Sequence, residues 1–374
     1  MARPRVSTCI VLTATVAAAW VFSACGSSAR ETGPADAGAD AEASEPAPPP
    51  PYSVVALDRA RISSREGEPN FQKARGSVTL QPGPYARVVL IVDLDTTCFP
   101  FARWKDDPPP AGHNWPASCD AFDRNFDVYV IDPAAPSAPA LELVHAITPF
   151  GGPLHIETDV TDVFAALKGA RTIEVEIPTY SDAAGKVSGA AGGWFVSARL
   201  DVTPGPAPRD VVAVIPVMRG VVTEGGVAKT FPFALPPGAT SARLEWVATG
   251  HGGGSDRACI GPADEFCERT HTLTFDGAKL AEQALWRDDC DKLCTTTANQ
   301  PGAAGPRTYC AENPCGAPQS VRAPRANWCP GSVTPMKSFD LPVATEGPHT
   351  FGLTVDTIAA GGSWRTSAKV FAYR

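Results

Sequence analysis

Arg87-Val88-Val89-Leu90-Ile91-Val92-Asp93-Leu94 decides the fold class. The run is of strand length, rich in β-branched residues, charged at its edges and set between turn residues, so it reads as a sandwich strand. The same reading extends outward to Asp127-Val128-Tyr129-Val130-Ile131, to Thr172–Ile177 and to Trp194–Leu200. Asp162–Leu167 is the one short helical stretch, with Asp162 as its expected cap. Pro204-Gly205-Pro206-Ala207-Pro208 then breaks every pattern and marks a domain boundary. Beyond it, Val211–Val217, Ala242–Val247, His271–Phe275, Thr350–Val355 and Ser367–Tyr373 are further strands. Short apolar runs separated by turns, in a chain with 38 prolines and 33 glycines, are the all-β signature. The expected bodies are 53–205 and 206–374, and the long loops Gly250–Phe266 and Ala284–Pro330 are where binding work is expected.

The N-terminus reads as a targeting segment rather than as part of the fold. Arg3 and Arg5 precede the apolar stretch Cys9–Val21, which ends in Phe22-Ser23-Ala24-Cys25. Small residues before a cysteine read as a lipobox, giving a lipoprotein signal peptide at 1–24 and a lipidated Cys25. Residues 25–52 are rich in Ala, Pro and acidic side chains and cannot bury enough apolar surface to offset their ordering entropy. They are expected to form a disordered spacer holding an exported body at the bacterial cell envelope, with the outer membrane as the expected leaflet-bearing surface. Gly26 after the cysteine is compatible with that sorting.

Formal charge is −8, and loss of Arg3 and Arg5 with the signal makes it −10. That balance excludes a basic nucleic-acid footprint. Nine cysteines follow Cys25, an odd number for an oxidising compartment. The Cys290-x3-Cys294 and Cys310-x4-Cys315 spacings can be drawn as a zinc site, but disulfides suit the compartment better. The six histidines are scattered without a His-x-His pair, which disfavours a copper centre; His251 and His271 are expected to hydrogen-bond within loops.

Three cysteine-anchored clusters carry the chemistry: Cys119-Asp120-Ala121-Phe122-Asp123-Arg124, Asp264-Glu265-Phe266-Cys267 and Arg325-Ala326-Asn327-Trp328-Cys329-Pro330-Gly331. Each sets a charged group beside an aromatic ring, the combination that grips a sugar and activates water. These segments, with Ile147-Thr148-Pro149-Phe150, Asp159-Val160-Thr161-Asp162, Val214-Ile215-Pro216-Val217 and Thr249-Gly250-His251-Gly252, resemble the peptide-N-glycosidase F family in the same order. The resemblance runs from about Ser77 to the C-terminus.

It implies two jelly-roll β-sandwich domains side by side, with a site between them. Asp123 and Glu265 are the implied catalytic carboxylates, and Asp120, Arg124, Arg325 and Trp328 the implied substrate-binding groups. The implied disulfides are Cys98–Cys119, Cys259–Cys267 and Cys290–Cys329, leaving Cys294, Cys310 and Cys315 over. The implied activity is metal- and cofactor-independent amidase hydrolysis of N-glycosylated peptides and glycoproteins. Two departures stand against it: Pro178 replaces a further family carboxylate, with Glu176 close by, and the 98–119 loop is long and carries Trp104 and Trp115. They suit an alternative reading, a non-catalytic envelope lipoprotein that binds glycans or protein partners through the same cleft.

Overall fold

The computed structural model describes residues 49–181, 191–253, 259, 263–300, 307–342 and 346–374. The expected signal peptide, Cys25 and the linker up to residue 48 lie outside the described residues. The first half contains β1 (Tyr52–Ser63), β2 (Lys73–Val78), β3 (Tyr85–Asp95), β4 (Asn125–Ile131), β5 (Leu141–Ile147), β6 (Leu154–Asp159), α1 (Thr161–Ala166), β7 (Arg171–Glu176) and β8 (Gly193–Pro204). The second contains β9 (Val211–Val222), β10 (Lys229–Leu235), β11 (Ser241–Gly252), β12 (Arg269–Phe275), β13 (Ala278–Leu285), β14 (Thr296–Gln300), β15 (Arg307–Cys310), α2 (Pro318–Arg322), β16 (Ser332–Val333), β17 (Lys337–Asp340), β18 (Gly347–Val355) and β19 (Gly362–Tyr373). Tyr52, assigned to the linker by composition, is already strand. Among the described residues no helix is long and apolar enough to cross a membrane.

Four larger antiparallel sheets build two jelly-roll sandwiches. In the first half β1-β8-β3-β6 packs on β16-β5-β4-β7-β2, and in the second β10-β18-β12-β13 packs on β17-β11-β19-β9. Alternation drives this: Val88, Leu90, Val92 and Leu94 of β3 enter one core with Phe126, Val128 and Val130 of β4. Truncating one of these, such as Leu90 at 0 % exposure, to alanine costs about 2–5 kcal/mol. Leu244, Trp246 and Ala248 of β11 enter the other core with Trp364, Ala368 and Val370 of β19.

The opposite faces of β4, β5, β11 and β19 meet between the sandwiches, and there the buried residues are charged. Arg365 of β19 binds Asp127 of β4, and Lys369 Nζ donates to the Glu142 carbonyl at 3.0 Å. His145 Nδ1 lies 2.6 Å from Glu142 Oε1 and 3.4 Å from Asp127 Oδ1, while its Nε2 is 2.8 Å from Thr249 Oγ1 of β11. The two carboxylates raise the His145 pKa against the effect of burial, so the imidazolium serves as the cation between them. The halves are joined by backbone hydrogen bonds as well, because β16, late in the chain, pairs with β5 of the first sandwich.

The helix expected near Asp162 forms, but its cap is misplaced. Val160 occupies the cap position without a side-chain bond, and Asp162 lies inside the first turn. Asp159 supplies the local acceptor, taking the Thr161 N–H at 2.9 Å. Asp162 instead spans the junction, its Oδ2 accepting from Arg209, Arg243 and Tyr373.

Candidate active site

The loop before β4 is fixed first by a disulfide and then by an ion pair. Cys98–Cys119 ties it to the end of β3. Trp104 covers the bridge and donates Nε1–H to the Cys98 carbonyl at 3.1 Å, with Trp115 packed edge-on. Phe101 reaches Tyr309 of β15, so the long 98–119 loop is anchored on the second-half hairpin. One residue past Cys119, Asp120 is fully buried and accepts from Arg124 through both oxygens at 3.0–3.2 Å. Arg124 is itself buried, sandwiched between Phe122 and Tyr180 and donating to the Tyr180 carbonyl at 3.1 Å. Asp120 therefore holds Arg124 and does not reach the surface as a sugar ligand.

Asp123 lies between these residues in sequence but points elsewhere. Its carboxylate is 3.9 Å from Arg325 Nη2, outside hydrogen-bond distance, and its side chain keeps 18 % exposure. Glu265 approaches the same guanidinium from the turn Asp264–Phe266, with Oε1 3.3 Å from Nη1. That turn is rigid because Asp264, fully buried, accepts from Arg269, the Ala359 N–H and Trp364 Nε1. The Cys259–Cys267 bridge closes it, and the Ala326 N–H donates to the Glu265 carbonyl at 2.8 Å.

Arg325 is the hub. Its guanidinium sits over the rings of Phe266 and Trp328, at 4.8 and 4.5 Å, and Nη2 donates to the Ser320 carbonyl at 2.8 Å. The next residue but one, Asn327, adopts a left-handed φ of 68° and donates to the Ala248 carbonyl, turning the chain so that Trp328 folds beneath Arg325. Trp328 is 2 % exposed, its Nε1 donates to the Gly250 carbonyl at 2.8 Å, and His251 stacks on it. It is a floor for the arginine and presents no open face to a ligand. The cysteines agree with the implied pairing, Cys290–Cys329 included, and a fourth bridge joins Cys294 to Cys310.

Burial pushes the Asp123 carboxyl up to about 7; Arg325 opposes the rise and the Glu265 charge adds to it. Burial also raises Glu265, again against Arg325. A carboxyl that titrates near neutrality, partly open to solvent and next to a second carboxylate, can take and return a proton.

The aromatic ring open to solvent here is Tyr180, 58 % exposed and stacked on Arg124, which the sequence reading did not single out. Its signal was position: it comes four residues after the end of β7 and two after Pro178. Glu176 does not stand in for a carboxylate at 178, because it pairs with Arg219 at 2.8 Å. His271 is no loop residue: it lies in β12 in the second core against Trp364, without a hydrogen bond to either ring nitrogen among the described residues, and burial lowers its pKa to about 3. Asp127, Glu142 and His145 bring ligand atoms within 4.8 Å of one another, as do Cys98, Cys119 and Cys315. The first set is engaged in the junction ion pairs and the second contains a disulfide.

Residues 224–373 match the family described as "Peptide-N-glycosidase F, C terminal". The fold is similar to that of a peptide-N(4)-(N-acetyl-beta-D-glucosaminyl) asparagine amidase, with 20 % identity and a TM-score of 0.62 over 86 % of this chain and 96 % of that one. It is similar to PNGase F, a glycosylasparaginase from Flavobacterium meningosepticum, at 19 % identity and TM-score 0.61, over 86 % and 96 %. It is also similar to PNGF-II, at 18 % identity and TM-score 0.65 over 86 % of this chain, which spans 65 % of that longer protein. No curated protein matches the sequence.

Proposed function

We propose that this chain, peptide-N-glycosidase F-like by its second-half sequence and its fold, is an amidase that releases glycans from N-glycosylated asparagine in peptides and proteins. The observation that carries the reading is the Asp123 carboxyl, raised to about 7 beside Glu265 and against the buried Arg325. In its ionised form Asp123 takes a proton from water as the water oxygen attacks the asparagine side-chain carbonyl carbon. The carbon–nitrogen bond then breaks, the proton passes to the departing nitrogen, and the peptide is left with aspartate while the glycan leaves as a glycosylamine. Glu265 and Arg325 position water and the linking sugar, and the exposed Tyr180 ring offers a platform for a pyranose face. General acid–base help of this kind is worth about 10²–10⁴ in rate. In the same reading the chain acts at the envelope, tethered through a lipidated Cys25 and the acidic linker.

Pro178 favours the second reading, a cleft that binds glycans without cleaving them. Incubation of the protein with a denatured N-glycoprotein, beside Asp123→Asn, separates the two. Free glycan from the parent alone supports the amidase; glycan retained on the substrate by a folded parent, with binding intact, supports the binding protein.

A further inference from the structure

Thr249 Oγ1 stands between two imidazoles. His145 Nε2 of β5 lies 2.8 Å from it, and His251 Nε2 of β11 lies 2.9 Å from it. Thr249 and His251 are two apart on β11, so their side chains leave the same face of the sheet, the one turned to β5. Thr249 is fully buried, His145 is buried too, and His251 is half-buried, so the chain of bonds runs outward from the junction. At its outer end His251 stacks on Trp328, whose ring carries the Arg325 guanidinium.

A hydroxyl has one proton to give and cannot donate to both rings, so at least one Nε2 carries a proton and donates to it. His145 decides which. Its Nδ1 faces two carboxylates, Glu142 of β5 at 2.6 Å and Asp127 of β4 at 3.4 Å. From β19, Arg365 pairs with Asp127, while Lys369 pairs with Glu245 of β11 at 3.0 Å and donates to the Glu142 carbonyl. Among the described residues no lysine or arginine forms an ion pair with the buried Glu142 carboxylate; its ion-pair partner is His145. A carboxylate taken out of water needs such a cation. As an imidazolium His145 donates from both nitrogens, to Glu142 and to Thr249. The Thr249 hydroxyl, already an acceptor for His145, then gives its own proton to His251 Nε2.

The geometry points to Thr249 as a positioning residue of the cleft, one that fixes His251 as the neutral ring protonated on Nδ1 alone. The Nε2 lone pair is taken by the hydroxyl, and the Nδ1–H diverges from it, away from Thr249. Burial, with Arg365, His145 and Arg325 as neighbouring positive charges, holds His251 well below the usual imidazole pKa, in the same sense. A second cation against Trp328 would repel Arg325 and draw down the Asp123 carboxyl that shares that guanidinium. The neutral ring avoids both effects. The tautomer rests on the junction geometry alone, and its bearing on glycan release rests on the amidase reading.

The test is long-range proton–nitrogen correlation NMR near neutral pH on the full chain carrying heavy-nitrogen histidine, with the ring signals assigned by their loss in His251→Asn. Beside the parent stand Thr249→Ser, which keeps the hydroxyl, and Thr249→Val, which keeps the shape. The expected result is His145 protonated on both nitrogens and His251 on Nδ1 alone, in the parent and in Thr249→Ser. Thr249→Val lowers the ratio of Nδ1–H to Nε2–H rings at His251 by about two- to tenfold, the worth of one hydrogen bond. It also slows glycan release, which Thr249→Ser restores. A parent His251 protonated on Nε2, or on both nitrogens, overturns the proposal whether or not Thr249→Val folds. So does a folded Thr249→Val chain that keeps the parent's ring pattern or, where the parent is active, its release rate. Absence of release from every chain, with the expected ring pattern present, removes the amidase reading and leaves the tautomer standing.

Discussion

Two arginine–carboxylate groups begin three residues apart in one loop and are built in opposite ways. Asp120 and Arg124 are closed: a fully buried carboxylate meets a guanidinium through parallel bonds of 3.0–3.2 Å, capped by Phe122 and Tyr180. Asp123, Arg325 and Glu265 are open: two partly exposed carboxylates share one buried guanidinium at 3.9 and 3.3 Å, and neither saturates it. A closed pair has its proton affinity and its geometry spent on structure. An open one leaves a carboxyl whose charge is incompletely compensated, and so one whose proton is transferable near neutral pH. Composition alone makes the two look equivalent; geometry separates them.

The comparison breaks most clearly at Asp123 and Asp120 themselves. Asp123→Asn is expected to lower the glycan-release rate by about 10²–10⁴, with an unchanged circular dichroism spectrum and melting temperature no lower than the parent's. Asp120→Ala is expected to do the reverse in kind, costing about 3–5 kcal/mol in urea unfolding by stranding a buried Arg124. Equal loss of stability in both variants would erase the distinction between open and closed groups.

Titration sharpens it. Asp123 moves from an ordinary 3.8 to about 7 on folding, so the folded chain binds the extra proton between those values. Stability from this group is therefore present below about pH 4 and lost as pH rises through 7, by up to about 4 kcal/mol. Asp123→Asn should flatten that descent in a pH series of unfolding free energies, and the parent's release rate should rise with pH to a plateau above about 7. Glu265→Gln removes a charge that raises Asp123, so the rate limb should move to lower pH by roughly a unit or less. The smallest effect belongs to Tyr180→Ala. Losing its stacking surface, worth about 0.5–1 kcal/mol, should raise KM a few-fold and leave kcat nearly unchanged.

The sandwich strands were legible where one face was apolar, as in β3, β4, β8 and β19. β5 was not, because Glu142 and His145 look like surface residues yet are buried against Asp127, Thr249 and Lys369 between the sandwiches. β1 carries Asp58, Arg59 and Arg61 and shifts register twice, with Arg59 at φ 46°, so no clean period survives. The resemblance named Asp123, Glu265 and Arg325, which the fold brings to one guanidinium from loops that lie far apart in sequence. It could not say that Asp120 and Trp328 would be spent holding arginines, since that depends on which atoms are covered. Tyr180 and the Cys294–Cys310 bridge escaped for the same reason: neither a single exposed ring nor a pairing of cysteines is written in a local pattern.

Hydrolysis of an N-glycopeptide in heavy-oxygen water tests the central claim most directly. The account predicts that the chain converts the glycosylated asparagine to aspartate carrying one heavy oxygen in its side chain, and that Asp123→Asn does not. A folded, disulfide-intact chain that leaves the asparagine linkage untouched, or an Asp123→Asn variant that labels aspartate as fast as the parent, would contradict it.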